Sequence, residues 1–247
     1  MIDIKVYESK KDALNNISDD INKKISEFKK SNTPLLFLIS GGSVLEILDY
    51  IKKDFLGDFM TISVLDERFD ITNKNNNFTQ LSERVIYKAM VFAGVNFIDT
   101  SVKYGQTKEE LADFFEEELK SWNGKKINGR IIAIFGVGID GHTSGIMPFF
   151  KDEKKFLELF EGDRWVISYD ASGKNQYSER VTTTNTFLRR IDEAFVFVIG
   201  EEKKMALENM QKNGSVAEVP ARILAEINAK VYTNILFKNF EITKEKD

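Results

Sequence analysis

Six short apolar runs recur along this chain: Leu35 to Ile39, Thr61 to Leu65, Arg130 to Phe135, Arg164 to Ser168, Phe195 to Ile199 and Val231 to Leu236. Each has the length of a strand and is rich in β-branched or aromatic residues. Longer charged segments with helical spacing lie between several of them. Lys11 to Phe28 places Leu14, Ile17, Ile21, Ile25 and Phe28 on one side and predicts a helix. Apolar runs without polar alternation belong to strands covered on both faces. Strand and helix alternating in this way predict an α/β fold, with a mainly parallel sheet and helices on both faces. Ligands in such sheets bind beyond the carboxyl ends of the strands, so the residues that follow each run are where chemistry is expected.

Composition narrows the possibilities. With 247 residues and 42% of them hydrophobic, including 20 Phe, the chain has enough apolar material for a substantial core. No repeat, low-complexity tract or linker divides it, so residues 1–247 are expected to form one α/β domain. The balance of 35 basic against 39 acidic side chains leaves a charge of −4. That argues against nucleic acid or an anionic membrane as the main partner, because both require an extended basic face. There is no Cys, which excludes disulfides, a thiolate nucleophile and a zinc–thiolate site. The N-terminal residues lack a basic stretch followed by an apolar run, and no apolar run approaches the roughly 20 residues of a spanning helix. A cytoplasmic protein, monomeric or a small homo-oligomer, is expected.

Four places join a strand end to reactive or anion-binding residues. After Leu35 to Ile39 comes Ser40-Gly41-Gly42-Ser43, followed by a helical stretch from Val44 to Lys53. Such a turn suits phosphate, because its backbone N–H groups converge at a helix N-terminus. A plain turn with an N-cap Ser fits it equally well. After Thr61 to Leu65 comes Asp66-Glu67-Arg68, then a polar loop containing Asn75, Asn76 and Asn77. Arg68 offers a fork for phosphate oxygens, and a solvated ion pair is the plainer reading.

After Arg130 to Phe135 comes Gly136-Val137-Gly138-Ile139-Asp140-Gly141-His142-Thr143-Ser144, with Pro148 six residues past the histidine. The stretch contains a literal G-x-G-x-x-G. A dinucleotide site needs a helix to open at once, however, and Gly145 and Pro148 oppose one. His142 is the only histidine. It sits in a flexible loop beside Asp140, a setting suited to proton transfer. One His and no Cys would leave any histidine-based metal site to carboxylates, so neither metal nor cofactor is expected. Finally, Lys174 precedes a turn, and Arg180 opens the strand-like Val181-Thr182-Thr183-Thr184. Both are cations at a loop-to-strand junction, either anion ligands or surface charges. Val219-Pro220-Ala221 reads as a helix start.

Taken in order, these motifs resemble the 6-phosphogluconolactonase family, within the larger group that also holds glucosamine-6-phosphate deaminases. Gly41-Gly42-Ser43 matches the family's S-G-G-S-T-P, Asp66-Glu67-Arg68 its D-E-R, and Asn76-Asn77-Phe78 its S-N-Y. Gly136 to Pro148 matches G-M-G-x-D-G-H-T-A-S-L-F-P, Arg180-Val181-Thr182 its R-I-T, and Val219-Pro220-Ala221 its L-P-A. The deaminases resemble instead a pattern with Glu five residues after the His and D-E-Y in place of D-E-R. This chain has Met147 and Arg68 at those positions, which favours the lactonase branch. Departures are Val44-Leu45 for Thr-Pro, Phe69-Asp70 after D-E-R, and Ser144-Gly145-Ile146-Met147 for Ala-Ser-Leu-Phe.

The resemblance implies a layered, Rossmann-like α/β architecture and hydrolysis of 6-phospho-D-glucono-1,5-lactone to 6-phosphogluconate, a step of the pentose phosphate pathway. The implied substrate is a small phosphorylated sugar lactone. Neutral His142 would take a proton from water and return it to the ring oxygen, with Asp140 orienting the imidazole. Gly41, Gly42, Ser43, Arg68 and Arg180 would hold the phosphate, with Lys174 as a further candidate. Asp66, Asn77, Gly138 and Thr143 complete the expected site. Glucosamine-6-phosphate deamination and a non-catalytic sugar-phosphate sensor are the competing readings.

Overall fold

A computed structural model of the chain describes residues 2–237. Its strands are β1 (Asp3–Val6), β2 (Leu35–Ile39), β3 (Met60–Val64), β4 (Asp66–Arg68), β5 (Asn96–Phe97), β6 (Arg130–Phe135), β7 (Val166–Asp170), β8 (Glu179–Thr183), β9 (Glu193–Val198) and β10 (Ala229–Thr233). Its α-helices are α1 (Lys10–Ser31), α2 (Asn77–Ser82), α3 (Tyr87–Phe92), α4 (Lys108–Lys125), α5 (Glu153–Phe160), α6 (Asn185–Leu188) and α7 (Lys204–Gln211).

Seven strands form a parallel sheet in the order β1-β10-β9-β6-β2-β3-β5. All five residues of β2 are buried, as its unbroken apolar run predicts. Alternation sends Leu35, Phe37 and Ile39 into one core and Leu36 and Leu38 into the other. β6 divides likewise, with Ile132 and Ile134 on the first side and Ile131, Ala133 and Phe135 on the second. Helix α1 covers the first face through Leu14, Ile17, Ile21 and Ile25. Ser9 caps its N-terminus, and Asn32, in the left-handed region at φ 50°, ends it. Helix α4 covers the second face through Leu111, Phe115 and Leu119, and a reciprocal Thr107–Glu110 capping box starts it.

From β2 the chain moves outward to β3 and β5, then returns to place β6 on the other side of β2 and continues to β9 and β10. The order therefore reverses between β2 and β6, where a crevice opens beyond their carboxyl ends. Above it stands a second, antiparallel sheet in the order β4-β8-β7.

Several expectations need correction. The run at 164–168 belongs to β7 of the small antiparallel sheet, because the turn that follows folds it back along β8 instead of into a crossover. Asp66-Glu67-Arg68 is not a solvated ion pair but strand β4, with Asp66 and Glu67 buried, paired with β8 from Asp66↔Thr182 to Arg68↔Arg180. The stretch after Gly41 is a 3₁₀ segment over Gly42–Tyr50. The helix start expected at Val219-Pro220-Ala221 is present, as a 3₁₀ segment over Pro220–Ala225. The loop after β6 forms no helix, as Gly145 and Pro148 predicted. Among the described residues no helix is long and apolar enough to cross a membrane.

Candidate active site

Because β2 and β6 are parallel neighbours, with Ile39 opposite Ile134, the loops that leave their carboxyl ends lie side by side. They line a cleft of about 310 Å³ together with β4, β8 and the turn after β9. Of the residues singled out in the sequence, Gly41, Gly42, Ser43, Asp66, Arg68, Asn77, Gly138, His142 and Arg180 line it.

The imidazole of His142 is held by its own loop. Its Nδ1 lies 2.5 Å from Asp140 Oδ1, and the same oxygen accepts the His142 backbone N–H at 3.2 Å. Burial pushes the Asp140 carboxyl up, but the hydrogen bonds and charge of His142 outweigh it and hold the group below its usual value. An ionised Asp140 can only accept, which assigns the proton to Nδ1 and leaves Nε2 as the basic nitrogen. Gly138 makes this possible, since a Cβ there would lie 2.1 Å from both Nδ1 and Cε1 of His142. The Gly138 N–H also bonds the His142 carbonyl at 2.9 Å and closes the loop.

Thr143 is fully buried and does not line the cleft. Its hydroxyl bonds the Gly136 carbonyl at 2.9 Å, which fixes the base of the loop. Ser144 follows at φ 50°, an uncommon conformation for a residue with a Cβ, and it does reach the cleft wall. Met147 is buried, with its N–H on the Tyr169 hydroxyl at 3.2 Å.

Opposite the histidine loop, Arg180 and Asp66 form a buried ion pair at 2.6 Å. Arg68 has no carboxylate partner among the described residues, and its guanidinium lies 4.4 Å from the centre of the Tyr177 ring. Asn77 donates to the Asp66 carbonyl at 2.8 Å. Its amide packs so close to the turn after β2 that a Cβ on Gly41 would lie 2.0 Å from it.

Lys174 is not part of the cleft lining. The β7–β8 turn folds back so that its ammonium donates to the Pro148 carbonyl at 2.8 Å and sits 4.1 Å from the Phe149 ring centre. The cleft's other cation is Lys203, which follows β9, and burial lowers its pKa against the opposing pull of Glu202. Sequence reasoning missed it, although the strand-end rule applied to Phe195 to Ile199 leads directly to Gly200-Glu201-Glu202-Lys203.

Four side chains of the lining, Ser40, Asn77, Ser144 and Arg180, each keep one buried polar atom without a hydrogen-bond partner. Among the described residues no cluster of acidic and imidazole groups is arranged to hold a metal ion.

Comparison with known proteins places the chain in a family. The profile described as glucosamine-6-phosphate isomerases/6-phosphogluconolactonase matches residues 8–233, from the start of the first helix region to the end of β10. The chain belongs to that family. Within it, the chain is 26% identical to the 6-phosphogluconolactonase of Helicobacter pylori strain J99 over 182 residues, 71% of this chain and 70% of the relative. A Neisseria meningitidis 6-phosphogluconolactonase is 23% identical over 220 residues, 88% and 91% of the two chains. The crystal structure of a 6-phosphogluconolactonase from Shewanella baltica superposes with a TM-score of 0.78 at 15% identity, covering 94% of this chain and 97% of that one. At that identity the superposition establishes the fold of this family member; its chemistry is argued from the cleft.

Proposed function

We propose that this member of the family is a 6-phosphogluconolactonase, which adds water to 6-phospho-D-glucono-1,5-lactone and releases 6-phosphogluconate. The observation that carries the proposal is the His142–Asp140 pair, which presents His142 to the same cleft as a glycine turn and two cations, Arg68 and Lys203, without an ion-pair partner among the described residues. An acyl transfer to water needs a base, and a remote phosphate needs a cationic anchor.

In the reaction, His142 Nε2 accepts a proton from water as the water oxygen bonds to C1. The carbonyl electrons move to oxygen, and the resulting oxyanion is met by backbone N–H groups of the loop after β6. As the carbonyl re-forms, the bond from C1 to the ring oxygen breaks. The proton on Nε2 passes to that oxygen, which becomes the C5 hydroxyl. Asp140 keeps the imidazole in one tautomer throughout and stabilises its positive charge between the two transfers. The N–H groups that open the segment at Gly42 have no intrahelical partner and face the phosphate together with Arg68 and Lys203. Fixing the phosphate sets the distance from C1 to His142, so binding energy is converted into rate. Arg180 is already neutralised by Asp66 and keeps the cleft wall in place beside the sugar. Nothing in this scheme calls on a metal or cofactor. The substrate is small and soluble, in keeping with a cytoplasmic site of action.

Met147 supports hydrolysis over deamination, because a thioether stands where the deaminase branch resembles a second carboxylate acting on the histidine. The deciding assay generates the lactone in situ and follows 6-phosphogluconate formation below neutral pH beside a blank without enzyme. Wild type should exceed the blank, and His142→Ala should lose kcat by about 10²–10⁴-fold. Full activity in a folded His142→Ala protein overturns the role of the histidine. Ammonia release from glucosamine 6-phosphate without lactone hydrolysis overturns the lactonase reading.

A further inference from the structure

Glu67 lies between the cleft residues Asp66 and Arg68, yet strand alternation turns its side chain to the other side of β4. There it is fully buried, and among the described residues no cation pairs with it. Its carboxyl group is nevertheless completely used. Oε1 accepts the backbone N–H groups of Arg68, at 2.8 Å, and of Asn77. Oε2 accepts the Phe78 N–H at 2.9 Å and the Thr100 hydroxyl at 3.0 Å. Asn77 and Phe78 open helix α2, and the N-cap residue Asn76 supplies no side-chain cap to them. The N-terminus of α2 is therefore capped from a neighbouring strand.

A buried carboxyl is a costly way to satisfy a short helix, since a Ser, Thr or Asn at the N-cap does so locally. What Glu67 adds is a connection. Of its four donors, two belong to residues that line the cleft, Arg68 and Asn77, and these come from different elements. We propose that Glu67 is a positioning residue for substrate binding, whose single carboxyl group locks the Arg68 backbone and the Asn77 end of α2 into one rigid edge of the cleft.

Burial pushes this carboxyl up to about 8, against the pull of its four donors. Both protonation states fit the surroundings. A proton on Oε2 is donated to Thr100 Oγ1 while Oε1 keeps the N–H groups of Arg68 and Asn77. The same geometry predicts how substitutions rank. In Glu67→Gln the amide oxygen keeps Arg68 and Asn77, the amide nitrogen donates to Thr100, and only the Phe78 bond is lost. In Glu67→Ala all four donors are stranded.

The proposal rests on the lactonase reading for its kinetics but not for its binding. Glu67→Ala, Glu67→Gln and Thr100→Val are compared with wild type for lactone kcat and KM, and for the Kd of 6-phosphogluconate and of inorganic phosphate by calorimetry. Glu67→Ala should raise KM and both Kd values by about tenfold, the scale of one buried hydrogen bond, with kcat changed less than about threefold. Glu67→Gln should recover most of the loss, and Thr100→Val should raise KM by about twofold to threefold. Unchanged Kd values, a fall in kcat at constant KM, or Gln behaving like Ala would each overturn the positioning role. If Glu67→Ala yields no folded protein, Thr100→Val carries the test, and wild-type Kd values in it overturn the proposal. A wild type that binds 6-phosphogluconate without hydrolysing the lactone overturns the enzymatic reading alone and leaves the Kd comparison intact. A wild type that binds neither anion overturns both.

Discussion

Arg68 and Arg180 stand directly opposite each other across the β4–β8 pair, and among the described residues only Arg180 has a carboxylate partner, Asp66, at 2.6 Å. Two like charges at facing positions repel. The diagonal Asp66 removes one of them from the balance, and Arg68 is left as the unpaired cation, stacked on Tyr177. Asp66 thereby divides two arginines that look equivalent in sequence into one that holds the wall together and one available to an anion.

Asp66→Asn should therefore weaken the fold itself. Removing one partner of a buried pair typically costs about 3–5 kcal/mol, and here it also exposes Arg68 to an unneutralised Arg180. Urea unfolding at neutral pH measures the loss. Adding Arg180→Met to Asp66→Asn should restore part of it, and a double variant no more stable than the single would show that repulsion contributes nothing.

Lys203 and Arg68 should behave in the opposite way, as residues of binding and not of stability. Lys203→Met should shift stability by no more than about 0.5 kcal/mol, while KM for the lactone rises and kcat falls less. Arg68→Ala should show the same split. Wild-type KM should rise with salt through screening of these two charges, and the rise should be smaller in each variant. Steady-state kinetics at two ionic strengths checks both points.

Gly138→Ala tests the histidine without touching it. The added methyl would sit 2.1 Å from the ring atoms Nδ1 and Cε1, so the imidazole must leave Asp140. A loss in kcat of at least about tenfold is expected, with an overpacking cost of about 1–3 kcal/mol. Because the chain has one histidine, a ¹⁵N spectrum of the imidazole reports its tautomer unambiguously. Wild type should carry the proton on Nδ1, and the variant should lose that preference.

The buried Glu67 gives stability a defined pH dependence. Its pKa is raised from the usual 4.5 to about 8, so the folded state holds this proton more tightly than the unfolded chain does. The contribution is fully present below about 4.5 and is lost as pH rises through about 8. The melting temperature of wild type relative to Glu67→Gln should fall across that window. A difference independent of pH between 4.5 and 8 would mean that the carboxyl does not titrate there.

Strands covered on both faces were readable in advance because burial on both sides leaves no room for polar residues. Leu35–Ile39 and Arg130–Phe135 were found to the residue, and the 193–198 strand within two. β1 was missed because an edge strand keeps Asp3 and Lys5 beside its apolar residues, and β5 because two residues carry no pattern. Glycine loops were legible as well: Gly41 and Gly138 stand where a side chain would collide with Asn77 or His142, and Gly42 turns the chain at φ 71°.

Local chemistry alone thus determined the α/β class, the strand ends that line the cleft, and the pairing of His142 with its neighbouring Asp140, since each depends on residues close together in the chain. Only the tertiary structure decided which cations meet in the cleft. Lys174 folds away onto Phe149, Lys203 arrives from the end of β9, and Arg180 is neutralised by a residue 114 positions distant. Charge pairing acts over a few ångströms of space, and only folding determines which side chains come that close.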